Sequence, residues 1–235
     1  MTVNEIMAEL EAKGSESIKK ILLKHGVKEP FFGVKVEYLK IIEKQIKKDY
    51  SLALDLYATG NADAMYLAGL LADDAQMTPD DLTLWAQQAI STNIASYTVP
   101  WVAAGSNHGF ALAQNWIEDK EEHVAVVGWS TLGGLVSLKP DAELDLPALS
   151  VLLNRVSSSI QKARNQEKQA MNGFLIAVGS YVAPLSQEAI ALAQQIGTLT
   201  VDTNGTACKV PSAADYIQKA IAKGSLTKKK KKLKC

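Results

Sequence analysis

The chain has few cysteines, no long apolar run and almost no strand-like alternation, and each absence excludes a class of protein. Cys208 and Cys235 are its only cysteines, which argues against a disulfide framework and against a zinc site. No stretch approaches the roughly 20 uninterrupted apolar residues of a membrane-spanning helix. The first residues, MTVNEIMAELEAKG, are amphipathic and acidic, unlike a secretory signal. We therefore expect a cytoplasmic protein without a membrane segment, a metal site or a cofactor.

Length and composition instead predict a folded domain with a large core. The chain has 235 residues, of which 47% are hydrophobic, and this excludes a disordered or fibrous protein. We expect one repeat domain over residues 1–224 and a basic tail over residues 225–235. This last segment is called the C-terminal tail below.

Charge is distributed unevenly along the chain although the formal net charge is zero. Residues 1–50 carry a net charge of +2, residues 51–150 carry −11, and residues 151–235 carry +9. A polyanion is repelled by the middle block and attracted by the last one, because phosphate binding depends on Lys and Arg. The C-terminal tail contributes six of those positive charges, Lys228 to Lys232 and Lys234. The tail is either a solvated end or a nucleic-acid contact.

Apolar residues recur at spacings of three and four almost throughout, which is the period of amphipathic helices. The clearest start signal is Thr78-Pro79-Asp80-Asp81, a capping threonine before a first-turn proline and two acids. The only strand-like run, residues 199–202, is too short to build a sheet. Helix pairs that repeat about every 35–45 residues predict an all-α solenoid of HEAT-like antiparallel pairs. The expected helices cover residues 4–13, 15–25, 36–46, 51–58, 62–72, 79–91, 94–104, 109–118, 122–138, 145–159, 165–182, 186–196 and 212–223.

Three segments resemble the DNA alkylation repair enzymes of the AlkD type. Residues 29–40, EPFFGVKVEYLK, are similar to the entry into that family's third helix. Residues 56–73 are similar to its next repeat, with Asp63 and Met65 where the family more often has Glu and Arg. Residues 85–135 follow the family's spacing of Trp85, Val99-Pro100, Trp116-Ile117 and Gly128-Trp129. The resemblance implies a HEAT-like solenoid that binds DNA and, in active members, excises alkylated purines.

The positions that the resemblance assigns to catalysis are substituted here. Active members carry a WWDxxD-like element before the Val-Pro pair, and its aspartate stabilises the positive charge that develops on the sugar. Ser96 stands at the aspartate position, Thr92 at the tryptophan position, and Val126 at the position of an arginine that holds a DNA phosphate. Because Ser96 has no charge to supply, the resemblance implies weak or no glycosylase activity.

A polar run in the C-terminal third is the first candidate for a DNA contact. On a helix that begins near Asn165, the side chains of Asn165, Lys168 and Asn172 lie along one stripe, with Lys162 and Arg164 just before it. Asn172-Gly173 within an apolar helix costs stability, so it calls for an explanation. One explanation is a polar DNA-binding site. The other is a buried, hydrogen-bonded asparagine beside a glycine that permits close helix packing.

A second unusual run lies at residues 205–214, GTACKVPSAA. It resembles the segment that closes the domain in a divergent branch of the same family. Lys209 is added to the candidate DNA contacts. Cys208 beside it would have a lowered pKa if it were exposed near a helix start, and the alternative is a structural turn.

Several other residue types have a functional and a structural interpretation. Trp101, Trp116 and Trp129 could stack on a base, but their helical spacing within apolar runs favours the core. His25, His108 and His123 have no partner at the spacing of metal ligands. The acids at 118, 119, 121 and 122 form a charged corner that is more typical of a solvated turn than of a metal site.

The sequence thus predicts a protein that binds duplex DNA, alkylated or distorted, with basic residues of its C-terminal third and with weak or no glycosylase activity. Two alternatives stay open. One is an active glycosylase for alkylated purines whose acid comes from elsewhere. The other is a protein-interaction scaffold, which the acidic middle block favours because solenoids bind partners along a concave face.

Overall fold

Helices form all the regular structure of the residues described by the computed structural model, which are 1–206 and 210–234. This confirms the all-α prediction, and each expected helix except the one over residues 94–104 is present to within a few residues of its predicted ends. The α-helices are α1 (Val3–Ala12), α2 (Glu16–Lys24), α3 (Val36–Ile46), α4 (Tyr50–Ala58), α5 (Ala62–Leu71), α6 (Pro79–Gln88), α7 (Val99–Gly105), α8 (Gly109–Trp116), α9 (Glu122–Leu138), α10 (Leu146–Ser159), α11 (Asn165–Tyr181), α12 (Ser186–Ile196) and α13 (Ala213–Ala222).

Short polar side chains begin many of these helices. The hydroxyl of Thr78 accepts a hydrogen bond from the backbone N–H of Asp81, whose carboxylate accepts one from the N–H of Thr78. Thr2 and Glu5 form the same reciprocal cap at α1. Such caps satisfy N–H groups that have no partner within the helix. They fix the helix starts from local sequence alone.

The helices form two layers. Helices α4, α6, α8, α10 and α12 form the outer layer, and α5, α7, α9, α11 and α13 form the inner layer, while α1, α2 and α3 lie at the N-terminal end. The inner helices α7, α9, α11 and α13 contact one another extensively in chain order, whereas among the outer helices α10 and α12 form the main contact. This difference curves the stack so that the inner layer is concave, as expected of HEAT-like repeats. Two large clusters of buried apolar side chains fill the space between the layers.

The helix predicted over residues 94–104 is divided in two. Residues Ile94–Thr98 form a π-helical turn, in which the N–H of Val99 donates to the carbonyl of Ile94, and α7 follows. Pro100 gives the physical reason. It has no N–H, and its ring collides with the carbonyl four residues earlier, that of Ser96, so the preceding turn widens. The π turn therefore holds Ser96 and Tyr97 in the inner layer.

The EPFFGV segment is held by a buried carboxylate. Asp63 in α5 is 5% exposed and accepts hydrogen bonds from the backbone N–H groups of Phe32 (2.7 Å), Gly33 (2.9 Å) and Val34 (3.3 Å). Gly33 has a φ of +80°, and a Cβ there would lie 2.6 Å from the carbonyl oxygen of Ser15. Only glycine fits that position without strain. The segment is thus a structural loop between α2 and α3.

Within the described residues, no single helix is long and apolar enough to cross a bilayer. The segments Asn165–Tyr181 and Ala183–Ile196 reach the necessary length and hydropathy only when they are counted together, and the chain bends by 111° between them.

The C-terminal tail leaves α13 through a single turn of 3₁₀ helix, Ser225–Thr227. The chain then turns back onto the repeat domain, where Lys229, Lys230 and Lys234 contact it. A domain boundary at residue 224 stays a prediction.

Candidate nucleic-acid interface

An aromatic patch lies on the inner layer where α5 and α7 meet. It consists of Tyr66 in α5, Tyr97 in the π turn and Trp101 in α7. The ring centroids of Tyr97 and Trp101 are 6.1 Å apart, and those of Tyr66 and Trp101 are 5.4 Å apart with their planes nearly perpendicular. Tyr97 is 55% exposed, which is unusual for a large aromatic side chain within a core helix layer. The patch offers flat apolar surface for stacking.

Small and polar residues face solvent on the next inner helices. Ser130 and Gly133 of α9 are half-buried, and Gly173 of α11 is exposed. A Cβ at Gly173 would meet no atom within 4 Å. Close helix packing is therefore not the role of this glycine, contrary to that interpretation of the sequence. Gly133 and Gly173 lie next to each other, so α9 and α11 present little side-chain bulk there.

The described inner helices α5, α7, α9 and α11 carry three carboxylates, and each has a structural partner. Asp63 holds the loop of residues 32–34, as described above. Glu122 accepts hydrogen bonds from the backbone N–H groups of Gln166 and Glu167 at the start of α11. Glu167 pairs with the guanidinium of Arg164 at 2.9 Å. Ser96, half-buried in the π turn, therefore has no carboxylate beside it in the π turn or α7.

Three of the predicted DNA contacts hold the fold together. Asn165 exchanges two 2.8 Å hydrogen bonds with the backbone of Asp202. Asn172 is 2% exposed and donates to the carbonyl of Pro211. Arg164 donates to the carbonyls of Asp119 and Lys120 and pairs with Glu167. Their side chains fix the loops that precede α9 and α13, as the structural interpretation of Asn172 expected.

The predicted lysines differ in position. Lys162 is exposed at the end of the 3₁₀ turn that precedes α11, and Lys168 is half-buried in the first turn of α11. Helix α9 begins beside them, since Glu122 contacts residues 166 and 167. The N-terminal ends of inner helices thus share one edge of the layer, and helix dipoles make such an edge favourable for anions. Lys209 and Cys208 lie outside the described residues.

The remaining candidates have structural positions. Trp116 and Trp129 are buried, while Trp101 belongs to the aromatic patch. The acidic corner is held by intrachain bonds, including an ion pair of Glu118 with Arg155. His123 contacts the carbonyl of Gln87 at 2.9 Å. Among the described residues, no three His, Cys, Asp or Glu side chains are grouped as a metal site requires.

The family model described as "DNA alkylation repair enzyme" matches residues 6–217. The chain belongs to this family. It is similar to a protein of Listeria innocua named Uncharacterized protein Lin0241, with 28% identity over 225 residues, 94% of this chain and 97% of that protein. Uncharacterized protein Lmo0209 of Listeria monocytogenes has the same identity and coverage.

A solved structure of a DNA alkylation repair relative shares the whole fold. It is described as "A new family of proteins related to the HEAT-like repeat DNA glycosylases with affinity for branched DNA structures". It has a TM-score of 0.91 and 34% sequence identity, and the alignment covers 100% of both chains. This confirms the predicted HEAT-like architecture and the relation to DNA glycosylases.

Sequence reasoning did not single out Tyr66 and Tyr97 as candidate site residues. A signal was present, because Tyr97 and Trp101 are four residues apart and so share a helix face. The pattern did not show that this face is the concave one. Only the stacking of α5, α7 and α9 places the pair on the inner surface.

Proposed function

We propose that the protein binds branched DNA along its concave inner layer and has weak or no glycosylase activity. The exposed aromatic patch carries this proposal. A DNA branch point presents base-pair ends without a stacked neighbour, and aromatic side chains stack on such bases. The affinity of the structurally similar protein for branched DNA supports the same ligand class.

Phosphate contacts in this proposal come from the edge where α9 and α11 begin. Lys162 and Lys168 bind phosphates there, while Arg164, Asn165 and Asn172 hold the surrounding loops. Helix α9 has 17 residues, so the inner layer is about 25 Å wide at 1.5 Å per residue. That width accommodates an arm of double-stranded nucleic acid.

Weak or absent glycosylase activity is supported by the carboxylates of α5, α7, α9 and α11. Breaking a glycosidic bond through a cationic transition state requires a nearby anion. Asp63, Glu122 and Glu167 all have structural partners, and Ser96 is neutral. The proposed role therefore depends on binding rather than on bond cleavage.

The first expected result is a preference for branched DNA over linear duplex. We expect a four-way junction to bind at least about tenfold more tightly than a duplex with the same arm sequences, a difference of about 1.4 kcal/mol. Fluorescence anisotropy at fixed salt, with a single-stranded control of equal length, measures it. Equal affinity for junction and duplex would contradict the role of the aromatic patch. Failure to bind any of these DNAs at low salt would favour the protein-scaffold alternative.

The second expected result concerns base excision. Incubation with duplex DNA that contains N3- or N7-methylated purines should release no base above the uncatalysed background. Ser96→Asp alone should not restore excision, because the tryptophan and arginine positions are also substituted, by Thr92 and Val126. Chromatography of released bases provides the measurement, with an active glycosylase as the positive control. Efficient release by the unmodified protein would show that another group supplies the negative charge.

A further inference from the structure

The C-terminal tail is bound to the edge of the inner layer where the inner helices end. Lys234 Nζ lies 2.6 Å from Asp74 Oδ1, just after α5, and Lys229 Nζ lies 2.7 Å from Asp141 Oδ1, just after α9. Lys230 Nζ lies 5.5 Å from the ring centre of Tyr181, the last residue of α11. The tail thus spans the ends of several inner helices and runs back along the repeat order.

Backbone contacts reinforce the ion pairs at this edge. The N–H of Lys230 donates to the carbonyl of Ser137, and Lys229 Nζ donates to that of Val136, both in the last turn of α9. Lys234 Nζ donates to the carbonyl of Ala72 at the end of α5. Carbonyls in the last turn of a helix have no partner within it and form the negative end of its dipole. Here the lysine side chains and the N–H of Lys230 donate hydrogen bonds to these carbonyls. The lysine charges also interact favourably with the negative ends of the helix dipoles.

An apolar contact fixes the tail between its two ion pairs. Leu233 packs over Gly134 of α9, where an added Cβ would lie 2.7 Å from its side chain and 3.0 Å from Ala104. The absence of a side chain at Gly134 therefore makes room for Leu233 beside α7. The side chains of Lys229 and Lys234 are only 21% and 17% exposed. Burial raises the pKa of Asp74 and lowers that of Lys234.

The other lysines of the tail are more exposed to solvent, including Lys230 over the ring of Tyr181. Lys228, Lys230, Lys231 and Lys232 are exposed. The three acids at the ends of α5 and α9, Asp73, Asp74 and Asp141, are paired with Lys48, Lys234 and Lys229 respectively. The acids and the helix dipoles make this edge negative without the tail. With the tail bound, the acids are paired and the exposed lysines give the edge a row of positive charges.

We propose that the C-terminal tail is a docked basic ridge that binds the phosphates of a DNA arm along the C-terminal edge of the inner layer. Lys162 and Lys168 lie at the opposite edge of the layer, where α11 begins. This inference rests on the proposed function, because it assigns a second phosphate-binding edge to the same surface. Its distinguishing claim is that the tail works only when its two ion pairs hold it in place.

The decisive experiment removes the anchors without removing any lysine. Asp74→Asn combined with Asp141→Asn breaks both ion pairs, which loosens the tail, and makes the protein less acidic. If charge alone mattered, binding to a four-way junction would become tighter. We expect binding to become about three- to tenfold weaker. A loosened tail is no longer positioned on the layer, so it must lose conformational entropy when it binds DNA. Anisotropy titrations of the full chain measure the change.

A matched control makes the same change in charge away from the tail. Asp80→Asn with Glu11→Gln replaces two exposed acids, on α6 and α1, that have no described contact with it. We expect this variant to bind as tightly as the unmodified protein or slightly more tightly. If both double variants strengthened binding equally, the ridge proposal would be overturned. Tighter binding after deletion of residues 228–235 would also overturn it, by showing that the tail competes with DNA.

A second pair of variants tests the exposed lysines. Lys228→Gln, Lys231→Gln and Lys232→Gln together should reduce the dependence of log affinity on log salt by two to three, at about 0.9 per lost phosphate contact with duplex. Lys20→Gln, Lys24→Gln and Lys44→Gln on α2 and α3 form the matched control and should leave the slope unchanged. Equal slopes for the two triple variants would contradict a localised ridge.

Docking of the tail is also measurable without DNA. Trypsin cleaves after lysine, so mass spectrometry can follow cuts within residues 228–234. We expect the anchor variant to be cut at least about threefold faster than the unmodified protein and its control, as local opening predicts. Equal rates would refute docking even if DNA binds. Protection without DNA binding would instead refute the proposed function and leave the docked position intact.

Discussion

Tyr97→Ala is expected to weaken binding to a four-way junction by about five- to 150-fold. Stacking of one base on an aromatic side chain contributes about 1–3 kcal/mol by alanine substitution, and each 1.4 kcal/mol is a factor of ten in affinity. Tyr97 is 55% exposed, so its removal leaves the core intact. Affinity should fall much less for linear duplex, whose bases stay stacked. The ratio of the two affinities is the measurement.

Three companion variants separate stacking from other effects. Tyr97→Phe keeps the ring and should retain most of the junction affinity. Leu84→Ala removes a side chain that is 51% exposed on the outer helix α6, and it should change neither affinity nor stability. Trp101→Phe keeps an aromatic ring beside Tyr66 and Tyr97 and should weaken junction binding less than Tyr97→Ala. If Tyr97→Ala weakened junction and duplex equally, the aromatic patch would not be the element that recognises branching.

Asp63→Ala is expected to destabilise the fold by about 3 kcal/mol or more. The substitution leaves the N–H groups of residues 32, 33 and 34 without their acceptor, and a buried donor without a partner costs about 1–3 kcal/mol. Asp63→Asn keeps one acceptor oxygen and should cost about 1 kcal/mol. Urea denaturation followed by circular dichroism gives both values. Asp80→Asn replaces an exposed acid in the first turn of α6 and should leave the free energy of unfolding almost unchanged.

The Asp63 variants also distinguish a structural role of Asp63 from a role in DNA binding. Its position stands where the DNA alkylation repair family more often has Glu, and it is the one buried carboxylate of α5. Burial raises the pKa of Asp63, while the three backbone N–H bonds oppose that shift. A structural Asp63 predicts loss of stability with junction affinity retained by the folded fraction. An unchanged stability together with lost DNA binding would identify it as a binding residue instead.

Local sequence determined the helices, because their signals act within one or two turns. Helix starts depend on local capping pairs, such as Thr78 with Asp81 and Thr2 with Glu5. Apolar residues at spacings of three and four determine the buried face of each helix. The HEAT-like order of the helices followed from the short connections between them. Membership of the family was readable from EPFFGV and the spacing of Trp85, Val99-Pro100 and Trp129.

Tertiary structure decided which polar residues are available to a ligand. Asn165 and Asn172 share the helix stripe that the sequence predicted, but their amides are bonded to Asp202 and Pro211, which lie 37 and 39 residues away. Tyr97 became a surface residue because Pro100 widens the preceding turn and the curved stack leaves that turn uncovered. Lys229 and Lys234 became anchors through Asp141 and Asp74, which precede them by 88 and 160 residues. Pairings over such distances depend on how the repeats curve, and a periodic pattern carries no information about that curvature.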